Sequence, residues 1–168
     1  MIIYATERTT SKYKKMKNCN EAIIFIGIQA TGKSEFYKRN FADTHVRINL
    51  DMLKTRNRER ILVDACIEAK QSFVIDNTNP AKSDRTRYIS KAKEAGFRII
   101  GYYFRSSVSE AVTRNDFRAD GIRIPARAIA GTQNKLAFPS LSEGFDELYY
   151  VYIEDSGDFV TEVFKDEI

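Results

Sequence analysis

The sequence predicts an α/β fold built on a parallel sheet with helices on both faces. Short apolar, β-branched runs alternate along the chain with longer stretches whose apolar residues recur at spacings of three and four. That alternation implies βαβ units, in which crossover helices cover the sheet. No internal repeat, low-complexity tract or Pro/Gly/Ser linker divides the 168 residues, a length that fits one domain with a continuous core.

The elements follow in order. Residues 1–20 form a polar, Lys-rich lead-in whose apolar start, Ile2-Ile3-Tyr4, suits either an edge strand or a loose tail; the domain proper is expected over 21–168. Ala22-Ile23-Ile24-Phe25-Ile26 reads as a buried strand, and His45-Val46-Arg47-Ile48-Asn49 as a weaker second one. Phe73-Val74-Ile75, Ile99 to Phe104 and Leu148 to Ile153 give three more, with a possible further strand over Phe159 to Phe164. Between them, Ile61, Leu62, Ala65, Cys66 and Ala69 are predicted to share one helix face. Tyr88, Ile89, Ala92 and Ala95 form another such face, stopped by Gly96, and Val108, Ala111 and Val112 begin a third helix.

Composition narrows the function classes. A hydrophobic fraction of 43% with 30% charged residues describes a soluble globular chain. The longest apolar runs are about six residues, against the ~20 needed to span a bilayer, so no membrane role is expected. No secretory h-region opens the chain, and Cys19 and Cys66 form neither a metal motif nor a disulfide framework; cytoplasmic residence is the simplest expectation. The net charge of +4 is compatible with a polyanionic partner without requiring one. With a single histidine, His45, chemistry must rest on Asp, Lys, Arg and backbone groups.

The sharpest motif is Gly27-Ile28-Gln29-Ala30-Thr31-Gly32-Lys33-Ser34, which fits G-x-x-x-x-G-K-[ST] at every fixed position. A hydrophobic strand precedes it and a helix-compatible run follows, the context this phosphate loop requires. Its backbone N–H groups turn inward around nucleotide phosphates at the positive end of a helix. Lys33 is expected at the β- and γ-phosphates of ATP, and the Ser34 hydroxyl on Mg²⁺.

Further positions are candidates for chemistry. Asp76 ends the strand Phe73-Val74-Ile75, where it is either a magnesium or water contact or a cap for the next turn. Asp51 follows the second strand, on the crevice edge shared with the phosphate loop. It is either a base for an incoming hydroxyl or the N-cap of the following helix. Arg114 and Arg118 stand four apart and would share a helix face, either over bound phosphates together with Arg123 and Arg127, or as a solvated basic surface.

These residues resemble a known family. The loop Gly27–Ser34, Asn49-Leu50-Asp51, Ile75-Asp76-Asn77-Thr78-Asn79-Pro80 with Arg85-Thr86-Arg87-Tyr88, and Phe117-Arg118 are similar to the kinase domain of polynucleotide 5′-kinases, especially that of the polynucleotide kinase-phosphatases. Phe138 to Phe145 looks like that family's P-x-L-x-E-G-F segment, and the likeness runs from about Glu21 to Ile153. The resemblance implies a P-loop kinase fold with a helical lid, ATP and Mg²⁺ as cofactors, and a nucleic-acid 5′-hydroxyl as acceptor. It implies that Asp51 is the general base, that Lys33 and Arg118 stabilise the transferring phosphoryl group, and that Ser34 holds magnesium. Thr78 and Asn79 would lie by the phosphates, Lys54 would contact the acceptor strand, and Arg114 would belong to the lid. Lys54, Arg56, Arg58 and Arg60 would line a basic channel beyond Asp51.

Departures from the family pattern are Ala30 in place of a usual Gly and Leu50 in place of an Arg that commonly precedes the base; the missing Arg bears on the acceptor. No D-x-D-G-T phosphatase signature occurs, so a free-standing kinase is expected. The alternatives are a small-molecule or nucleotide-sugar kinase of toxin-like type, and a nucleotide-binding module without catalysis.

Overall fold

A computed structural model describes residues 19–119 and 121–165. The lead-in, whether edge strand or tail, lies outside the described residues over positions 1–18. Among the described residues six strands form one sheet: β1 (Glu21–Ile26), β2 (Val46–Ile48), β3 (Phe73–Ile75), β4 (Arg98–Phe104), β5 (Glu147–Ile153) and β6 (Phe159–Val163). Their spatial order is β2-β3-β1-β4-β5-β6, with the first five parallel and β6 antiparallel to β5. The expected parallel sheet therefore carries one antiparallel edge strand, formed because the Glu154–Asp158 turn is too short for a crossover.

Central strands buried on both faces lose the polar alternation of a half-exposed strand, which is why β1 reads as an unbroken apolar run. Ala22, Ile24 and Ile26 enter one core with Val63, Cys66, Tyr88, Ile89 and Ala92; Ile23 and Phe25 enter the other with Phe36, Val74 and Phe104. β2 is shorter than His45–Asn49 because Asn49 leaves the ladder and caps the next helix, accepting from Met52 N at 3.0 Å.

The helices are α1 (Lys33–Asn40), α2 (Leu50–Leu53), α3 (Arg56–Glu68), α4 (Lys82–Glu94), α5 (Val108–Asp116) and α6 (Ala126–Gln133), with a 3₁₀ turn at Leu141–Glu143. Thr55 caps α3 and Ser107 caps α5 through their hydroxyls. The α4 face is as expected, with Tyr88, Ile89 and Ala92 buried and Gly96 in the left-handed region at φ 80°.

The α3 face differs from expectation. Ile61, Ala65 and Ala69 are exposed, while Glu59, Val63 and Cys66 are buried, with Leu62 and Ile67 half-buried beside them. The stripe is rotated because Glu59, a residue normally assigned to solvent, sits inside it with hydrogen bonds from Arg56 and Asn77.

Helices α5 and α6 form a lid beside the phosphate loop. Ile28 and Ala30 of the loop pack with Ala111 of α5 and Ile129 of α6. The segment between the two helices is pinned by Asn115, whose amide donates to Ile124 O and accepts from Ile124 N, each at 2.9 Å. The sequence did not announce α6. Among the described residues no helix is long and apolar enough to cross a membrane.

Candidate active site

The phosphate loop joins β1 to α1 as its motif requires. Gly27 lies at φ 150° and Gly32 at φ 91°, and a Cβ on Gly32 would sit 2.9 Å from Ile153 Cδ1. Ala30, at the position where the family usually has Gly, is itself left-handed at φ 59°, a conformation that costs a non-glycine residue ~1–2 kcal/mol. Its methyl packs under the lid with Ile28, Ala111 and Ile129. Gly27 N donates to Thr78 O at 3.0 Å, and Asn79 Nδ2 to Phe25 O at 2.7 Å, so the segment after β3 holds the start of the loop.

Lys33 is buried and curls back onto its own loop. Its ammonium donates to Gly27 O at 3.0 Å, to Ile28 O and to Thr31 Oγ1 at 3.2 Å. Burial pushes its pKa down from 10.5 to about 8; the charge of Arg118 pushes the same way, while Asp76 and Asp51 pull it up. Lys33 therefore lies in the field of Asp51, Asp76 and Arg118, three of the charged residues singled out in the sequence.

Beside it, Ser34 Oγ donates to Asp76 Oδ2 at 3.0 Å. Asp76 caps no helix, since α4 begins only after Ala81; its carboxylate is instead paired with Arg47, whose Nε and Nη2 lie 2.8 and 2.6 Å from Oδ2. Ser34 and Asp76 form an adjacent pair of hard oxygen donors, which suits Mg²⁺ that keeps waters and binds mainly through nucleotide phosphates.

Across the loop, Asp51 stands exposed in the first turn of α2 and is not that helix's N-cap; Asn49 caps α2 and Thr55 caps α3. A relay fixes α2: Asn49 Nδ2 donates to Asp76 O at 2.5 Å, Leu50 N to Asn77 Oδ1 at 2.8 Å, and Asn77 Nδ2 to Glu59 Oε1 at 2.6 Å. Asp51, Lys33, Ser34, Asp76, Thr78, Asn79 and Arg118 all line one cleft of about 650 Å³. Gln29, Ala30 and Gly32 of the loop line it too.

Several expected residues lie outside that lining: Arg114 and Lys54, and with them Arg58, Arg60, Arg123, Arg127 and the loop's Gly27, Ile28 and Thr31. Arg114 and Arg118 share no helix face, because α5 ends at Asp116; Arg114 instead pairs with Glu110 at 3.1 Å, outside the cleft lining. Lys54 sits exposed at φ 70° past the end of α2, also outside the lining. Arg56 reaches the cleft but is paired with Glu59 at 2.8 Å, and Arg60 with Asp64 at 3.1 Å.

Two supporting residues carry roles that the sequence does not assign, Arg47 and Arg85, the latter named only as part of a motif. Arg47 faces the α1 side because its neighbours Val46 and Ile48 face the other core, an alternation visible in the strand itself. Arg85 is fully buried, donating twice at 2.7 Å to Glu143 and through Nη1 to Asn79 O, Pro80 O and Ala137 O at 3.1–3.2 Å. Nothing local signals that partner, 58 residues away.

Comparison with known proteins agrees with this layout. The sequence profile described as AAA domain matches residues 23–139. The bifunctional polynucleotide phosphatase/kinase of Schizosaccharomyces pombe is 30% identical over 140 residues, covering 79% of this chain and 33% of the relative. The chain thus spans about a third of that relative's length. Among solved structures, a gluconokinase from Sinorhizobium meliloti 1021 superposes with a TM-score of 0.56 at 18% identity, covering 79% of this chain and 82% of that one. Chaetomium thermophilum Kti12, solved with ADP-AlF3, gives 0.57 at 16% identity, covering 80% and 90%. The strand order, the phosphate loop between β1 and α1 and the profile match together place this chain in the AAA-domain family, as a P-loop kinase-type domain.

Proposed function

We propose that this domain transfers the γ-phosphoryl group of ATP to a hydroxyl, with the 5′-hydroxyl of a DNA or RNA strand as the acceptor. The observation that carries the reading is the shared cleft: Lys33, Ser34 and Arg118 line it together with Asp51, the carboxylate free to serve as a base. Backbone N–H groups of the loop and Lys33 bind the triphosphate, which draws the ammonium away from the loop carbonyls it now caps. Asp51 accepts the proton of the incoming hydroxyl while its oxygen attacks the γ-phosphorus in line and ADP leaves. Arg118 faces the charge that develops on the transferred group, a role worth ~10³-fold or more in rate. Ser34 and Asp76 would hold Mg²⁺, which neutralises phosphate charge when bound. Thr78 and Asn79 position the phosphate end of the cleft.

The nucleic-acid acceptor is supported by the resemblance to polynucleotide kinases, and cytoplasmic residence is part of the same reading. The test is label transfer from γ-labelled ATP to 5′-hydroxyl oligonucleotides beside a panel of nucleosides and sugars. Preferential labelling of oligonucleotides, weakening steeply with salt, is expected; preferential labelling of a small molecule without that dependence overturns the acceptor. One observation favours the second outcome. Beyond Asp51, two of the four expected channel cations, Arg56 and Arg60, are engaged with Glu59 and Asp64, and Lys54 and Arg58 stay outside the cleft lining, so the cleft presents little free basic charge on that side.

A further inference from the structure

Asp76 presents a carboxylate whose side chain is 1% exposed, so it requires a cation wherever a metal is not bound. That cation is Arg47. Its Nη2 lies 2.6 Å from Asp76 Oδ2 and 2.8 Å from Ser34 Oγ, and its Nε lies 2.8 Å from the same carboxylate oxygen. Ser34 Oγ in turn donates to Asp76 Oδ2 at 3.0 Å. One guanidinium therefore bridges the two oxygens that the fold offers to magnesium. A divalent ion on those oxygens at ~2.0–2.1 Å would face a fixed positive charge within hydrogen-bond distance of both its ligands. The guanidinium has room to move: its side chain is 28% exposed, and its Cζ lies 5.6 Å from the ring centroid of half-buried Tyr37 on α1.

We propose that Arg47 is a built-in placeholder for the metal, holding Ser34 and Asp76 in register in the nucleotide-free protein and leaving them when magnesium and nucleotide enter. It thereby sets how much magnesium the site needs. The inference rests on the reading of the loop as a magnesium–nucleotide site, and it is independent of which acceptor is used. It makes Arg47 a positioning residue rather than a catalytic one.

The test is a magnesium titration of the binding of a fluorescent ATP analogue, with thermal melting in EDTA and in magnesium plus ATP. Arg47→Met is expected to lower the magnesium midpoint by roughly tenfold, because one close like charge is removed. It should also lower the melting temperature in EDTA, where Asp76 loses its partner, and magnesium with ATP should restore most of that loss. Arg47→Lys, which keeps the charge, should stay near wild type. If Arg47→Met folds too poorly, the wild-type protein decides: the Arg47 Nε–H NMR signal should lose its protection from exchange when magnesium and ADP are added. An unchanged or raised magnesium midpoint in Arg47→Met overturns the proposal, as does an Nε–H signal indifferent to magnesium and ADP. Failure of the wild type to bind the analogue at any magnesium concentration would instead bring down the underlying nucleotide reading, and the proposal with it.

Discussion

Replacing Arg85 with methionine removes the cation from a fully buried ion pair while keeping much of its apolar stem. Glu143, its side chain 3% exposed, then retains, among the described residues, the Ser140 N–H as its one donor, at 3.2 Å. Three carbonyls, of Asn79, Pro80 and Ala137, lose a shared donor as well. Breaking a buried pair from one side costs ~3–5 kcal/mol, because the remaining charge stays uncompensated. For a domain of this size each kcal/mol moves the melting temperature by ~2–4 °C, so a drop of ~6–20 °C is expected. The site should feel the change too, since Asn79 and Pro80 adjoin Thr78, whose carbonyl holds Gly27 N–H. Urea unfolding, checked for two-state behaviour, gives the free energy, and ATP titration gives the effect on the loop. The double variant Arg85→Met with Glu143→Leu should regain about half the loss or more, because an apolar pair replaces the orphaned charge, while the three carbonyls keep the recovery incomplete. A loss below ~1 kcal/mol in the single variant, or a double variant less stable than it, would refute the reasoning.

Other perturbations give separable outcomes. Gly32→Ala places a Cβ against Ile153 and Phe159 at φ 91°; the backbone term alone is ~1–2 kcal/mol and the side-chain ends can shift, so a loss of ~2 kcal/mol is expected by denaturant titration, with weakened ATP binding. Unchanged stability would remove the strain argument. Asn77→Ala cuts the link between Leu50 N and Glu59; phosphoryl transfer should fall while ATP affinity stays level, and equal losses in both would show that Asn77 does not act through α2. Lys33, depressed from 10.5 to about 8 in the folded protein, makes the unfolded chain the better proton binder between those values. Stability should therefore rise as pH climbs from about 8 toward 10.5, a rise that Lys33→Met abolishes. Since a triphosphate favours the charged ammonium, ATP affinity should hold below about pH 8 and decline above it; a flat profile by calorimetry would contradict the burial of that amine.

Much of the architecture was legible because its signals are local. The apolar runs of β1, β3, β4 and β5 and the fixed spacing from Gly27 to Ser34 each reside in a handful of neighbouring residues. What stayed hidden depends on partners far along the chain. Arg85 resembles any solvated arginine of α4 until Glu143 arrives from the 3₁₀ turn, and Glu59 rotates the buried stripe of α3 only because Asn77 and Arg56 meet it there. Arg114 and Arg118 part for a simpler reason: α5 ends at Asp116, so the four-residue spacing between them crosses the end of the helix. The place of Asp51 on the cleft is legible from its position after β2, yet the relay through Asn49, Asn77 and Glu59 that fixes its helix is tertiary, with no sequence period.

The most direct test is Asp51→Asn, assayed with γ-labelled ATP and the best acceptor while ATP binding is followed by calorimetry. ATP affinity is expected to stay within about threefold of wild type, while transfer falls by ~10²–10⁴-fold, the range of a lost general base. Turnover that survives the substitution would contradict the assignment of Asp51.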